Sequence, residues 1–279
     1  MIITHAEIES LKQRLDNPHQ FIGFDDFILE KQQDQIVGHF FDLQLNSVFQ
    51  QIVLTHDPLE IIGHEGLLRA HRDQYKDLPP LEVFQIADKS NHLVYFDRLA
   101  RLTHTLNYVH IHHATTKNNL LFLNVHPKLL TEVKADHGQF FAQVLRQYDI
   151  LPQQIVLEIM EDAVSDEDEA QMIYAIENFK DRGYGIALDD FGSKHSNINR
   201  LCALKPDFVK LDKRIIHDAT TQSHVRKILP KLVEIIHDLD ASVVIEGIET
   251  EEQLHIAQET EADYLQGYLF GYPTAQFGL

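Results

Sequence analysis

The sequence predicts an α/β fold whose sheet closes into a barrel, and two observations carry that prediction. From about residue 38 onward, short aliphatic runs alternate with amphipathic helical stretches. Repeated βα units of this kind build a parallel sheet, either closed as a barrel or open and doubly wound. The chain has no Gly-x-Gly-x-x-Gly turn and no P-loop, so the nucleotide-binding signatures of open sheets are missing. A barrel is favoured. With 279 residues, 44% of them hydrophobic, the chain can bury a sizeable core as one large domain carrying a small extension.

Taken in order, residues 1–37 are polar apart from an apolar patch between Phe21 and Leu29, and neither a helix nor a strand period is strong there. They read as a short helical N-terminal extension, with the main domain over residues 38–279. The aliphatic runs that follow include Leu120–Val125, Ile155–Ile159, Gly185–Asp190, Phe208–Leu211 and Ser242–Glu246. Short, continuous and branched, they fit strands buried on both faces. Helix signals lie between them. Ser165 with Asp168 forms a variant capping box before an amphipathic stretch that Gly183 stops. Thr250 with Gln253 forms another, ahead of a helix leading to Glu261.

Composition narrows the partners. The formal charge is −19, from 43 acids against 24 Lys and Arg, with no basic stripe of the kind that grips a nucleic-acid backbone. DNA and RNA polymers are therefore not expected. A small phosphate diester remains compatible with an acidic protein if divalent cations invert the local charge. No apolar run approaches membrane-spanning length, and the first residues lack a signal-peptide pattern. Cys202 is the single cysteine, which excludes an intrachain disulfide framework. The expectation is a cytoplasmic protein without membrane insertion.

The informative residues sit where the strands end. Asn124, Glu158, Asp189, Asp190, Lys210, Glu246 and Gln266 all lie in, or just after, runs that should be buried. One strand-end acid alone is more often a helix cap or a surface residue. Several on converging strands need compensating cations, because an unpaired buried carboxylate is costly. Barrel enzymes build their sites at the C-terminal strand ends. An oxygen-rich set without Cys or paired His suits hard cations such as Mg²⁺ or Mn²⁺. Side chains alternate along a strand, but a turn of the backbone at its end lets both Asp189 and Asp190 reach one site. Lys210 would orient or deprotonate water, or neutralise a phosphate oxygen, and as a base it needs a lowered pKa.

Ordered motifs then become recognisable. His64-Glu-Gly-Leu-Leu-Arg69 resembles the Glu-Ala-Leu-Leu-Arg signature of EAL-domain cyclic-di-GMP phosphodiesterases. Phe122–Val125, Leu157–Glu161, Leu188–Gly192, Val209–Asp212, Glu246–Thr250 and Gln266–Phe270 follow in that family's order, so the similarity runs from about Leu43 to Pro273. The resemblance implies a TIM-like (β/α)8 barrel with one strand reversed, in a family that often dimerises, which leaves a homodimer open. It implies hydrolysis of cyclic-di-GMP to linear pGpG with two Mg²⁺ or Mn²⁺ ions. Carried over by position, Glu65, Asn124, Glu158 and Asp189 resemble ligands of a first ion. Asp189 resembles the bridge, and Asp190 with Glu246 the pair on a second ion. Lys210, with Gln266 nearby, resembles the residue handling the catalytic water. Gln50, Leu68, Arg69 and Asp212 resemble substrate contacts, Arg69 on a phosphate, and Glu161 the acid anchoring the loop after the Asp pair.

Departures from the family pattern qualify the turnover. Gly66 stands for the usual alanine, and Phe49 and Gln51 flank Gln50 in place of a tyrosine and a proline. Lys194 replaces a glycine in the loop Ser193–Arg200, which motivates an alternative: a catalytically quiet receptor binding cyclic-di-GMP or a protein partner. The 18 histidines, among them His110, His112 and His113, lack the i, i+4 spacing of a zinc helix and read as packing or solvated residues.

Overall fold

The structure is a computed structural model describing residues 27–32, 35–72, 76–111, 119–132, 139–160, 169–193 and 198–276. The chain divides into two compact units, residues 1–49, 66–117 and 274–279 in one, and residues 50–65 and 118–273 in the other.

In the first unit, strands β1 (Phe27–Gln32), β2 (Gln35–Phe40) and the first half of β3 (Leu43–Leu54) form an antiparallel ladder. The second half of β4 (Ile61–Arg72) pairs antiparallel with β5 (Lys76–Leu78), and helices α1 (Pro80–Lys89) and α2 (Leu93–Ile111) follow. The helical extension expected over residues 1–37 is, in its described part, a β-hairpin, and the expected boundary falls inside β2. The physical reason is tertiary. Ile36 and Val37 are β-branched, and Leu29, Ile36, Val37 and Phe40 are all buried. Asn107 on α2 fixes the strand by accepting from the Ile36 amide at 2.8 Å and donating to the Ile36 carbonyl at 2.7 Å. A short local period cannot announce such a partner 71 residues away. His110 is buried near the end of α2. His112 and His113 lie outside the described residues.

The second unit contains the barrel. Its strands are the ends of β3 and β4 that meet at their connecting turn, then β6 (Leu120–Asn124), β7 (Ile155–Met160), β8 (Gly185–Phe191), β9 (Phe208–Leu211), β10 (Ser242–Ile245) and β11 (Tyr264–Gln266). The order β3-β11-β10-β9-β8-β7-β6-β4 closes through β3–β4 pairing, giving an eight-stranded barrel. Neighbours from β6 to β11 run parallel, and β3 is antiparallel to β11, so the reversed strand is present. Ile52, Phe122, Val156, Ala187 and Val244 pack as its core. Interior close packing by branched and aromatic side chains leaves the strand ends as the place for chemistry.

Around the strands lie α3 (Lys128–Glu132), α4 (Gln139–Gln147), α5 (Glu169–Asp181), α6 (Ile198–Leu204), α7 (Lys213–Thr221), α8 (Ser223–His237) and α9 (Glu251–Gln258). The Thr250–Gln253 capping box forms as read, with the Gln253 amide donating to Thr250 Oγ1 at 3.2 Å and Gln253 Oε1 accepting from the Thr250 amide at 3.1 Å. Helix α5 occupies the amphipathic stretch that the other capping box introduces, while Ser165 and Asp168 lie outside the described residues. Among the described residues no helix is long and apolar enough to cross a membrane.

Candidate active site

The expected acids converge in the second unit. Asn124 and Glu158 are register partners on β6 and β7, and the Asn124 amide donates to Glu158 Oε2 at 3.1 Å and to Glu65 Oε1 at 3.2 Å. From the last residue of β11, Gln266 Nε2 donates to Glu65 Oε2 at 2.7 Å and reaches Gln50 Oε1 at 3.4 Å. Gln50 Nε2 in turn donates to the Gly271 carbonyl at 3.4 Å. Glu65 is thereby held from both sides by neutral amides. A carboxylate that accepts such bonds keeps its orientation without losing its charge.

Asp189 and Asp190 reach the cluster together through a break in strand geometry. The β8–β9 register shifts between Leu188 and Phe191, and Asp190 adopts φ +57°. A bulge with a left-handed residue cancels the alternation that would send consecutive side chains to opposite faces. Each of Asp189, Asp190 and Glu246 accordingly offers a carboxylate oxygen within 4.8 Å of the others.

Lys210 stands at the centre, 1% exposed. Its Nζ lies 2.7 Å from Glu158 Oε1, 2.7 Å from Glu246 Oε1, 3.1 Å from Glu65 Oε2 and 3.5 Å from Asp189 Oδ1. Four carboxylates around one ammonium leave a buried excess of negative charge. Burial pulls the Lys210 pKa down, but the surrounding acids outweigh it and hold the ammonium well above the ordinary lysine range. Burial pushes Glu65 up, yet Lys210, Gln266 and Asn124 bring it below the usual carboxylate range. Burial, reinforced by neighbouring acids and opposed by Lys210, raises Glu158 strongly and Asp189 as well. The same burial takes Glu246 to about 8 despite Lys210, and it takes Asp190 to about 6 with help from Asp189 and Asp212.

These residues fit a hard divalent cation. Gln266 Oε1 is buried without a hydrogen-bond partner among the described residues, an orphan acceptor that a cation or its water would satisfy. The donor set is all oxygen, from carboxylates and amides, and it carries more negative charge than Lys210 neutralises.

Leu68 and Arg69 are on β4 in the first unit, Leu68 buried, with Arg69 Nη1 donating to the Leu68 carbonyl at 2.9 Å. Glu161 and residues 194–197 lie outside the described residues. Asp212 caps α7, its Oδ1 accepting from the Arg214 amide at 2.9 Å and from Arg214 Nε at 2.8 Å. Reading the sequence for chemistry misses that capping role, although an Asp just before a helical run signals it.

Comparison with known proteins agrees with this geometry. The EAL domain family model matches residues 38–273. A probable cyclic di-GMP phosphodiesterase of Escherichia coli K12, PdeA, is 30% identical over 71% of this chain and 26% of its own length. The cyclic di-GMP phosphodiesterase RocR of Pseudomonas aeruginosa is 27% identical over 76% of the chain and 53% of its own length. The chain thus spans between a quarter and about half of these curated relatives. Among solved structures, the PaMucR phosphodiesterase in complex with c-di-GMP superposes with a TM-score of 0.66 at 25% identity, covering 82% of this chain and 92% of that one. A manganese and cyclic-di-GMP complex of Klebsiella pneumoniae BlrP1 shares the fold with a TM-score of 0.73 at 23% identity, over 84% of this chain and 57% of the other. With a match across most of its length and a fold shared with solved relatives, the chain belongs to the EAL domain family.

Proposed function

We propose that this chain hydrolyses one phosphodiester bond of cyclic-di-GMP to give linear pGpG, using two Mg²⁺ or Mn²⁺ ions. The convergence of Glu65, Asn124, Glu158, Asp189, Asp190 and Glu246 on Lys210 carries the reading. Glu65, Asn124, Glu158 and Asp189 would hold one cation, and Asp190 with Glu246 the other, Asp189 serving both. Such cations, when bound, supply charge stabilisation at the phosphate and a more acidic water. Lys210 holds the acids together and offers positive charge to a phosphate oxygen, while Gln266 orients Glu65. Arg69, Leu68 and Gln50 are assigned to substrate, Arg69 as a fork of donors on phosphate. Asp212 is assigned to substrate as well, from its place at the start of α7 beside Arg214.

The test is incubation of the purified chain with cyclic-di-GMP and Mn²⁺ or Mg²⁺, with separation of the products. Accumulation of pGpG beyond enzyme stoichiometry, abolished by chelator, is expected. Tight binding of cyclic-di-GMP with no pGpG under any divalent cation would replace the hydrolase with the quiet receptor.

A further inference from the structure

The first turn of α7 touches both loops that carry the outer acids of the cluster. On one side the Asp212 amide donates to the Phe191 carbonyl at 3.0 Å. Ile215 closes over the next residue of that loop. A Cβ built on Gly192 would lie 2.3 Å from Ile215 Cδ1. On the other side the Glu246 amide donates to the Leu211 carbonyl at 3.1 Å, and a Cβ on Gly247 would lie 2.2 Å from Lys213 Cβ and 3.1 Å from its Cα. Gly192 and Gly247 have φ +91° and +71°, so any side chain there is both blocked and strained.

Asp190 itself stands at φ +57°, a conformation that an L-residue keeps only when its surroundings over-determine it. The α7 turn supplies that constraint. It is wedged between Gly192 and Gly247, the residues that follow Asp190-Phe191 and Glu246. We infer that Ile215 and Lys213, on either side of the Asp212 cap, are positioning residues. They hold the Asp190 and Glu246 carboxylates beside Asp189, so the α7 turn sets the affinity of the second cation. The inference rests on the two-cation reading above. It assigns to this turn the supporting role that residues behind the ligands play in metal centres generally.

The metal-stripped protein is titrated with Mn²⁺ by calorimetry, as wild type, Ile215→Ala, Ile215→Met and Gly247→Ala. Ile215→Ala is expected to weaken the second binding step by roughly ten- to a hundredfold and leave the first near its wild-type value. Ile215→Met restores the second step, because an unbranched chain still reaches Gly192, and Gly247→Ala reproduces the selective loss from the opposite side. An unchanged second step in Ile215→Ala and Gly247→Ala overturns the brace while leaving the two-cation reading intact. Equal weakening of both steps, with a matching fall in melting temperature, also overturns it, since that marks general loosening. A wild-type protein that holds fewer than two ions removes the two-cation reading and the brace together.

Discussion

At the scale of single residues, Asp189 and Lys210 make opposite demands on the protein, and their substitution separates them. Burial, and after it the charge of Glu65, raise the Asp189 pKa, so Asp189→Asn removes one source of repulsion and preserves the shape. Its metal-free form should melt at or above the wild-type temperature. Turnover of cyclic-di-GMP should nevertheless fall on the order of a hundredfold or more, beyond the usual loss of a supporting residue. Lys210→Met does the reverse to stability. It withdraws the ammonium from four carboxylates and leaves an uncompensated buried charge, which costs about 3–5 kcal/mol when one partner is deleted. The metal-free Lys210→Met protein should melt well below wild type, with Mn²⁺ recovering part of the loss. Thermal melts in chelator and in Mn²⁺ decide both cases. An Asp189→Asn enzyme with near-normal turnover would rule out its bridging role.

At the scale of elements, what was legible follows what is local. The aliphatic runs at Leu120, Ile155, Gly185, Phe208 and Ser242 became strands with ends moved by a residue at most, because two-sided burial writes itself into consecutive positions. Thr250 and Gln253 formed their box because both partners lie within one turn. The strand-end acids were legible for the same reason, since a charge inside an apolar run is conspicuous. The β1–β2 hairpin was not, because its stabilising contact comes from Asn107 on a distant helix. Nor was the α7 brace, which depends on backbone angles at Gly192 and Gly247 and on Ile215 meeting a glycine 23 positions earlier. These differences predict different mutational costs. Thr250→Ala should destabilise by about 1 kcal/mol, the usual price of a lost helix cap. Asn107→Ala leaves the buried Ile36 amide and carbonyl without this partner and should cost roughly 1–3 kcal/mol. Urea denaturation of both variants measures the contrast, and an Asn107→Ala protein as stable as wild type would show that the clamp is dispensable.

At the scale of the whole molecule, the acids that make the site also load the fold. The chain carries a formal charge of −19, and the cluster concentrates part of that charge where water cannot screen it. Glu246 moves from an ordinary 4.5 to about 8 on folding, and Asp190 from 3.8 to about 6. A carboxyl with a raised folded pKa favours the folded state when protonated, so its contribution is full below the unfolded value and is lost as pH rises through the folded one. Glu158 and Asp189 shift in the same direction. Glu65 is lowered, so its opposing effect is confined to pH values near and below 4.5 and does not vary above that. Between pH 6 and about 8, then, the metal-free protein should lose stability as pH rises, with Glu246 titrating inside that window. On the two-cation reading, divalent cations should reverse the slope. Their ligands must be deprotonated, so binding releases protons and tightens with pH across that window, and the folded state gains by mass action. Melting temperatures from pH 6 to 8.5, with chelator and with Mn²⁺, should diverge progressively, small at the acid end and largest at the alkaline end. Parallel curves would mean that the cluster does not couple proton release to cation binding, and the raised carboxyls would then need another explanation.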